Sequence, residues 1–235
     1  VSTADSELVA DIRAALRTAA DPAKAAPMRA YMKSEMPFLG VPKPDRVRAL
    51  RPLLRQRVLG DPHCWEATVR ELWDGAEHRE ERYAAIQLAQ APPYRTWARS
   101  ADVLGLFEHM IVTGAWWDLV DDVAIHSVGP VLTAHRATVT PAVLAWSRDH
   151  DRWRRRAAVI CQVGANEDVD VELLASCVLA SVDDPDFFLR KAIGWALRQH
   201  SRTDPDWVRS FVARSGRRLS ALSRREALRV VGPGT

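Results

Sequence analysis

Cysteine, lysine and uninterrupted apolar sequence are all scarce in this chain. Its 235 residues include three cysteines, Cys64, Cys161 and Cys177, odd in number and far apart. That spacing argues against a disulfide framework and a paired-thiolate zinc site, and it suits a reducing compartment. No apolar run approaches the ~18 residues that a membrane span needs. The opening stretch is polar and then amphipathic, without the apolar centre of a secretory signal, so a cytoplasmic location is expected. Apolar residues nevertheless make up 47% of the chain and charged residues 27%. This is ordinary globular composition, which excludes disorder for most of the chain. The length suits one large domain or two small ones, enough to bury a sizeable core, and residues 1–235 are read as a single domain.

The short motifs of common chemistries are also missing. The seven histidines form no HExxH pair, no HxE with CxxC, and no two-His helix face. There is no Walker A loop, no GxGxxG and no GxS elbow. Neither a metal nor a cofactor is expected. Cys161 and Cys177 sit in apolar helical context and read as core residues.

What is plentiful is arginine. The basic residues number 33, and all but Lys24, Lys33, Lys43 and Lys191 are arginine. The net charge is only +3, but it is unevenly spread. Residues 1–110 hold 16 basic against 15 acidic groups, residues 111–180 hold 6 against 9, and residues 181–235 hold 11 against 6. An acidic middle therefore precedes a basic end. Arginine presents a planar fork of donors that matches phosphate, so this asymmetry points toward a polyanion partner.

Nearly every segment has helical period. Leu8, Ile12, Ala15, Leu16 and Ala19 form one stripe. Val47, Leu50, Leu54 and Val58 form a second, and Leu104, Phe107 and Ile111 a third. Breakers fall between them at Asp21-Pro22, Pro42-Lys43-Pro44, Asp61-Pro62, Pro92-Pro93, Thr140-Pro141, Asp184-Pro185 and Asp204-Pro205. An Asp before a Pro can cap a helix whose first residue is that Pro. No strand period and no Asn-Gly hairpin occur. The fold class is therefore all-α. Helix pairs recurring roughly every 35–45 residues suit an α-solenoid with a concave face, and periodicity alone leaves a compact orthogonal bundle open.

Three segments combine tryptophan with charge. Trp116-Trp117-Asp118-Leu119-Val120-Asp121-Asp122 opens a helix after Thr113-Gly114, and Trp117 and Asp121, four apart, share a face. A carboxylate beside an indole stabilises a cation held against the ring. The same spacing equally fits Asp residues at a helix start with a buried Trp pair. Trp153-Arg154-Arg155-Arg156 is either a solvated face or a phosphate clamp. In Phe187-Phe188-Leu189-Arg190-Lys191-Ala192-Ile193-Gly194-Trp195-Ala196-Leu197-Arg198, residues Lys191, Trp195 and Arg198 lie on one side. Gly194 costs ~1 kcal/mol against alanine in mid-helix, so it marks close approach of a neighbouring helix or a ligand.

These segments, in this order and separation, resemble the AlkD-like DNA alkylation-repair glycosylases, which are built from HEAT-like helical repeats. The resemblance also takes in Pro27-Met28, Tyr31-Met32-Lys33, Pro37-Phe38-Leu39-Gly40-Val41, Arg70-Glu71-Leu72-Trp73-Asp74 and Leu222-Ser223-Arg224-Arg225-Glu226-Ala227. It implies that Trp117 and Trp195 flank the sugar of a damaged nucleotide, that Asp121 is the catalytic carboxylate, that Arg156 contacts DNA, and that Tyr31 lies nearby. It further implies excision of N3-alkyladenine and N7-alkylguanine from duplex DNA by a monomer, with no metal and no base flipping. Arg154 and Arg155 exceed the family pattern. Arg190, Lys191, Arg198, Arg224 and Arg225 are candidates to track duplex phosphates from a concave face, or else form an ordinary solvated basic surface. A site that does not enclose the base suggests bulky adducts as well, as in self-resistance to a DNA-alkylating natural product. The competing expectation is a HEAT-like scaffold that grips DNA or a protein without chemistry.

Overall fold

A computed structural model describes residues 3–232. All regular structure among them is helical, and the chain divides into two compact units, one ending at Ala98 and the other beginning at Arg99.

The first unit contains α1 (Ser6–Thr18), α2 (Pro22–Met32), α3 (Lys43–Gln56), α4 (Pro62–Asp74) and α5 (Arg79–Ala89). Two of the Asp-Pro pairs act here as the sequence suggests. Asp21 and Asp61 cap α2 and α4, each accepting backbone N–H bonds, with Pro at the first helical position. The α1 stripe is buried at Leu8, Ile12 and Leu16 against α3 and α4. The second stripe is cut short: Leu50 and Leu54 are buried, but Val58 lies beyond the end of α3 and is 54% exposed. Arg57 turns the chain to extended geometry and anchors on Asp5 and Glu7, so the helical period does not reach Val58. Glu80 is completely buried, and its carboxylate accepts the N–H groups of Leu39, Gly40 and Val41 at 2.9, 2.9 and 3.0 Å. Gly40 has φ 82°, and a Cβ there would stand 2.0 Å from the Asp21 carbonyl oxygen. The Pro37–Val41 segment is thus a loop laced to α5.

The second unit contains α6 (Leu104–Gly114), α7 (Trp117–Val123), α8 (Gly129–Ala134), α9 (Arg136–Trp146), α10 (Arg152–Ile160), α11 (Val171–Ser181), α12 (Phe187–His200), α13 (Pro205–Ser215) and α14 (Ala221–Ala227). One π-turn, Ala124–Val128, joins α7 to α8, with the Gly129 N–H reaching back to the Ala124 carbonyl. A Cβ on Gly129 would lie 2.4 Å from the Cys161 carbonyl oxygen, so glycine admits the end of α10 there. Helix α10 packs on α6, α7, α9, α11 and α12 and is the centre of the unit. Cys161 and Cys177 are buried, as expected, and burial pushes both thiols up, out of the reactive range.

Two breakers behave differently from expectation. Thr140-Pro141 does not interrupt the chain: α9 runs through it, because one lost donor is offset by the buried face of Val139, Val143 and Trp146. At Asp184-Pro185 the cap is Asp186, which accepts from the Leu189 N–H, while Asp184 instead receives the Asp186 N–H.

Candidate functional site

The site begins at the junction of α6 and α7. Ala115 takes a left-handed conformation, φ 43°, and Trp116 is extended, so the chain restarts as α7 at Trp117. Trp116 turns into the protein. Its ring stands edge-on to Phe188 with centroids 5.5 Å apart and lies 6.1 Å from Trp153. These rings bring α7 and the starts of α10 and α12 together. Trp117, one residue on, is partly buried, as Trp116 is.

Asp121 lies one turn along α7 from Trp117. Both of its oxygens accept from Arg156 on α10: Nε donates to Oδ1 and Nη2 to Oδ2, each at 2.7 Å. The remaining Arg156 nitrogen, Nη1, donates to the Phe188 carbonyl in the first turn of α12 at 2.5 Å. The Arg156 side chain is 6% exposed and that of Asp121 14%. This is a bidentate, charge-assisted pair in a nearly dry setting. Burial pushes the Asp121 carboxyl above its ordinary value. The hydrogen bonds and charge of Arg156 oppose that shift, and the neighbouring charges of Asp118 and Asp122 add to it.

The other arginines of the α10 run have separate partners. Arg152 meets Asp186 at 3.3 Å and lies over the rings of Trp153 and Phe188. Arg154 meets Glu108 at 2.9 Å and Asp149 at 3.2 Å, and Arg155 meets Asp184 at 2.7 Å. The run is therefore neither a bare solvated face nor an open clamp, because four arginines from one helix tie together α6, α7, α12 and the loops before α10 and α12.

The remaining candidates are distributed as follows. Trp195 is partly buried on α12, on the same stripe as Lys191 and Arg198. Arg198 hydrogen-bonds to Glu226 of α14, and the Lys191 Nζ lies 3.9 Å from the same carboxylate. Arg190 donates to the Asp184 carbonyl at 3.0 Å, and Arg224 donates to the Gly216 carbonyl. Arg225 is exposed. Tyr31 belongs to the first unit, where its side chain is 78% exposed. Sequence reasoning did not find the Phe188 carbonyl or Glu226. A backbone acceptor carries no residue signature. Glu226 lay in plain view, but its contacts with Gly194, Lys191 and Arg198 of α12 are what single it out.

The family model for "DNA alkylation repair enzyme" matches residues 12–231. The chain belongs to that family. No curated protein matches it. A solved structure, described as a predicted DNA alkylation repair enzyme from Enterococcus faecalis, is similar at 29% identity and TM-score 0.81. The match covers 92% of this chain and 98% of that one. Family membership makes the protein an enzyme of DNA alkylation repair with DNA as its partner, and its fold is the all-α helical-repeat fold of that neighbour. No helix among the described residues is long and apolar enough to cross a membrane.

Proposed function

We propose that the protein is a monofunctional DNA glycosylase that hydrolyses the N-glycosidic bond of cationic N3-alkyladenine and N7-alkylguanine nucleotides in duplex DNA. The observation that carries this reading is the Asp121 carboxylate, held by Arg156 one turn from the partly buried indole of Trp117. Alkylation leaves the purine positively charged, so the base departs with the bonding electron pair and becomes neutral without an acid catalyst. Positive charge passes to the deoxyribose, as in glycoside hydrolysis. Asp121 and the electron-rich faces of Trp117 and Trp195 stabilise that sugar cation. Water then adds at C1′ and gives its proton to solvent through Asp121. No step calls for a metal or cofactor.

A carboxylate and a cation ~4 Å apart attract by ~4 kcal/mol at an effective dielectric of 20. The purine is already charged in the ground state, so only the change on moving charge to the sugar contributes to rate. Arg156 also cancels part of the field of Asp121. A net gain of ~2–3 kcal/mol, or about 30- to 160-fold, follows. The groups address the sugar and not the base, so the base is left in the stack and a bulky alkyl group need not fit a pocket. This supports a role that extends to bulky adducts, including self-resistance to a DNA-alkylating natural product. The protein acts as a cytoplasmic monomer.

The test is single-turnover release of free 7-methylguanine from methylated duplex DNA, with a uracil-containing duplex alongside. The wild-type protein should release the methylated base and leave uracil in place. Asp121→Asn should lower the rate by about 30- to 160-fold while DNA affinity holds. Asn retains one acceptor for Arg156 but leaves its charge uncompensated, so a loss of ~1–3 kcal/mol in stability is expected as well. Full activity in folded Asp121→Asn protein, or efficient uracil excision, would falsify the mechanism. Absence of any release by wild-type protein would favour a non-catalytic scaffold.

A further inference from the structure

Glu226 gathers three cations on one carboxylate. Arg198 donates to its Oε1, the Lys191 Nζ lies 3.9 Å from Oε2, and the Arg229 Nη1 lies 3.9 Å from Oε1. The Glu226 side chain is 14% exposed, so its charge acts through protein more than through water. Its place is fixed from below. A Cβ on Gly194 would stand 2.6 Å from the Glu226 Cβ and 3.0 Å from its Cγ, so the glycine of α12 is what lets the stem of Glu226 lie across that helix. The Ser223 hydroxyl, one turn earlier on α14, donates to the Arg190 carbonyl at 2.9 Å and holds the two helices in register.

Lys191, Trp195 and Arg198 follow one another at i, i+4 and i+7 along α12, so the carboxylate serves the cations on either side of Trp195. The two pairings differ. Arg198 is 21% exposed and directly hydrogen-bonded, whereas Lys191 is 45% exposed and only loosely paired. A loosely paired ammonium beside a polyanion is free to exchange partners, but its gain is reduced by the carboxylate it leaves and by the repulsion between that carboxylate and phosphate.

We infer that Glu226 is an affinity-limiting counter-charge, which holds Lys191 and Arg198 on either side of Trp195 and limits their attraction for duplex phosphates. The inference rests on the duplex-binding reading above. Its physical content is a trade. An enzyme that must leave undamaged sites gains nothing from maximal phosphate affinity, because that binding is blind to the lesion. A built-in carboxylate lowers the sequence-independent attraction while keeping the cations ordered around the indole.

The measurement is duplex affinity as a function of salt for the wild-type protein, Glu226→Gln and Glu226→Met, with undamaged DNA and DNA carrying 7-methylguanine. Gln keeps the volume and an acceptor for Arg198, and Met keeps the aliphatic stem over Gly194. Both should bind damaged and undamaged duplex more tightly, by about three- to tenfold near physiological salt. The salt slope should steepen by about one unit as Lys191 takes up a phosphate. Lys191→Gln added to Glu226→Gln should return both quantities to near wild type. A carboxylate that served only packing would lower the melting temperature and leave the slope alone. Unchanged affinity and slope in the folded variants would overturn the inference, and so would loss of folding in both, which makes Glu226 a packing anchor. A wild-type protein with no salt-dependent duplex binding would instead overturn the binding reading on which the inference stands.

Discussion

Burying Asp121 among helices raises the free energy of its negative charge, and Arg156 stands where it offsets that rise. The consequence is a pH dependence that neighbouring residues should move in opposite directions. In the proposed reaction Asp121 acts as the carboxylate, and its pKa lies above the ordinary value of 3.8. Excision should therefore fall as pH drops through that raised pKa, at higher pH than an exposed aspartate would give. Arg156→Gln removes the group that lowers the pKa and should shift the acid limb to higher pH. Asp118→Asn removes a like charge and should shift it lower. Single-turnover rates from pH 4 to 8 read both shifts, and acid limbs that coincide in all three proteins would rule out Asp121 as the titrating group. Only part of this was legible in the sequence. The i, i+4 spacing of Trp117 and Asp121 was visible, whereas the pairing of Asp121 with a residue 35 positions away was not. Spacing reports one helix at a time, and the run Arg154–Arg156 offered three candidates for a partner.

Among the helices, local chemistry was the most readable layer. Asp21, Asp61 and Asp204 each cap a helix beginning with Pro, because the cap bond and the fixed proline φ are both set within three residues. The misread breaker at Pro141 and the cap displaced to Asp186 were decided by packing and by a longer loop, which short motifs do not encode. The π-turn at Ala124–Val128 was not legible either, since one extra residue in a turn leaves the apolar pattern nearly unchanged. Glycine at a helix interface carried real information without naming its partner. Alanine at either position gains ~1 kcal/mol in helix propensity. At Gly194 the added Cβ meets the Glu226 stem at 2.6 Å and the Ser223 carbonyl at 3.1 Å. At Gly129 it meets the Cys161 carbonyl oxygen at 2.4 Å, and backbone cannot step aside as a side chain can. Overpacking of this kind costs ~1–3 kcal/mol. Gly194→Ala should thus be near neutral to ~2 kcal/mol destabilising, and Gly129→Ala the worse of the two. Denaturant melts of both variants test the order, and a Gly129→Ala protein more stable than wild type would show that α8 and α10 are not in close contact.

Over the whole chain, the basic end compresses two different uses of arginine into one composition. A net +5 over residues 181–235 invites the view that every cation there faces DNA, yet the acidic loop at 183–186 holds Arg190 and Arg218 of that segment and draws in Arg152 and Arg155 of α10 as well. Arg218 pairs with Asp183, Arg155 with Asp184 and Arg152 with Asp186, while Arg190 donates to the Asp184 carbonyl. Arg225, in contrast, is exposed on α14 and lines a shallow cleft together with Arg217, Ala221, Arg224 and Leu228. Composition could not separate these uses because the acidic partners lie in a loop distant in sequence from α10. A pair of charge reversals does separate them. Arg225→Glu and Arg155→Glu change the net charge by the same amount, so an attraction governed by net charge alone would weaken equally in both. Local geometry gives a different expectation. Arg225→Glu should lower affinity for damaged and undamaged duplex alike and flatten the salt slope by about one unit, with its melting temperature within about 1–2 °C of wild type. Arg155→Glu places a carboxylate against Asp184 in a pair whose side chains are only 19% and 20% exposed. It should lose ~2–4 kcal/mol of stability, and its salt slope should stay close to wild type wherever it remains folded. Salt titrations and thermal melts on the two proteins decide between these accounts, and equal slopes in both variants would mean that the net charge of the chain governs binding and not particular arginines.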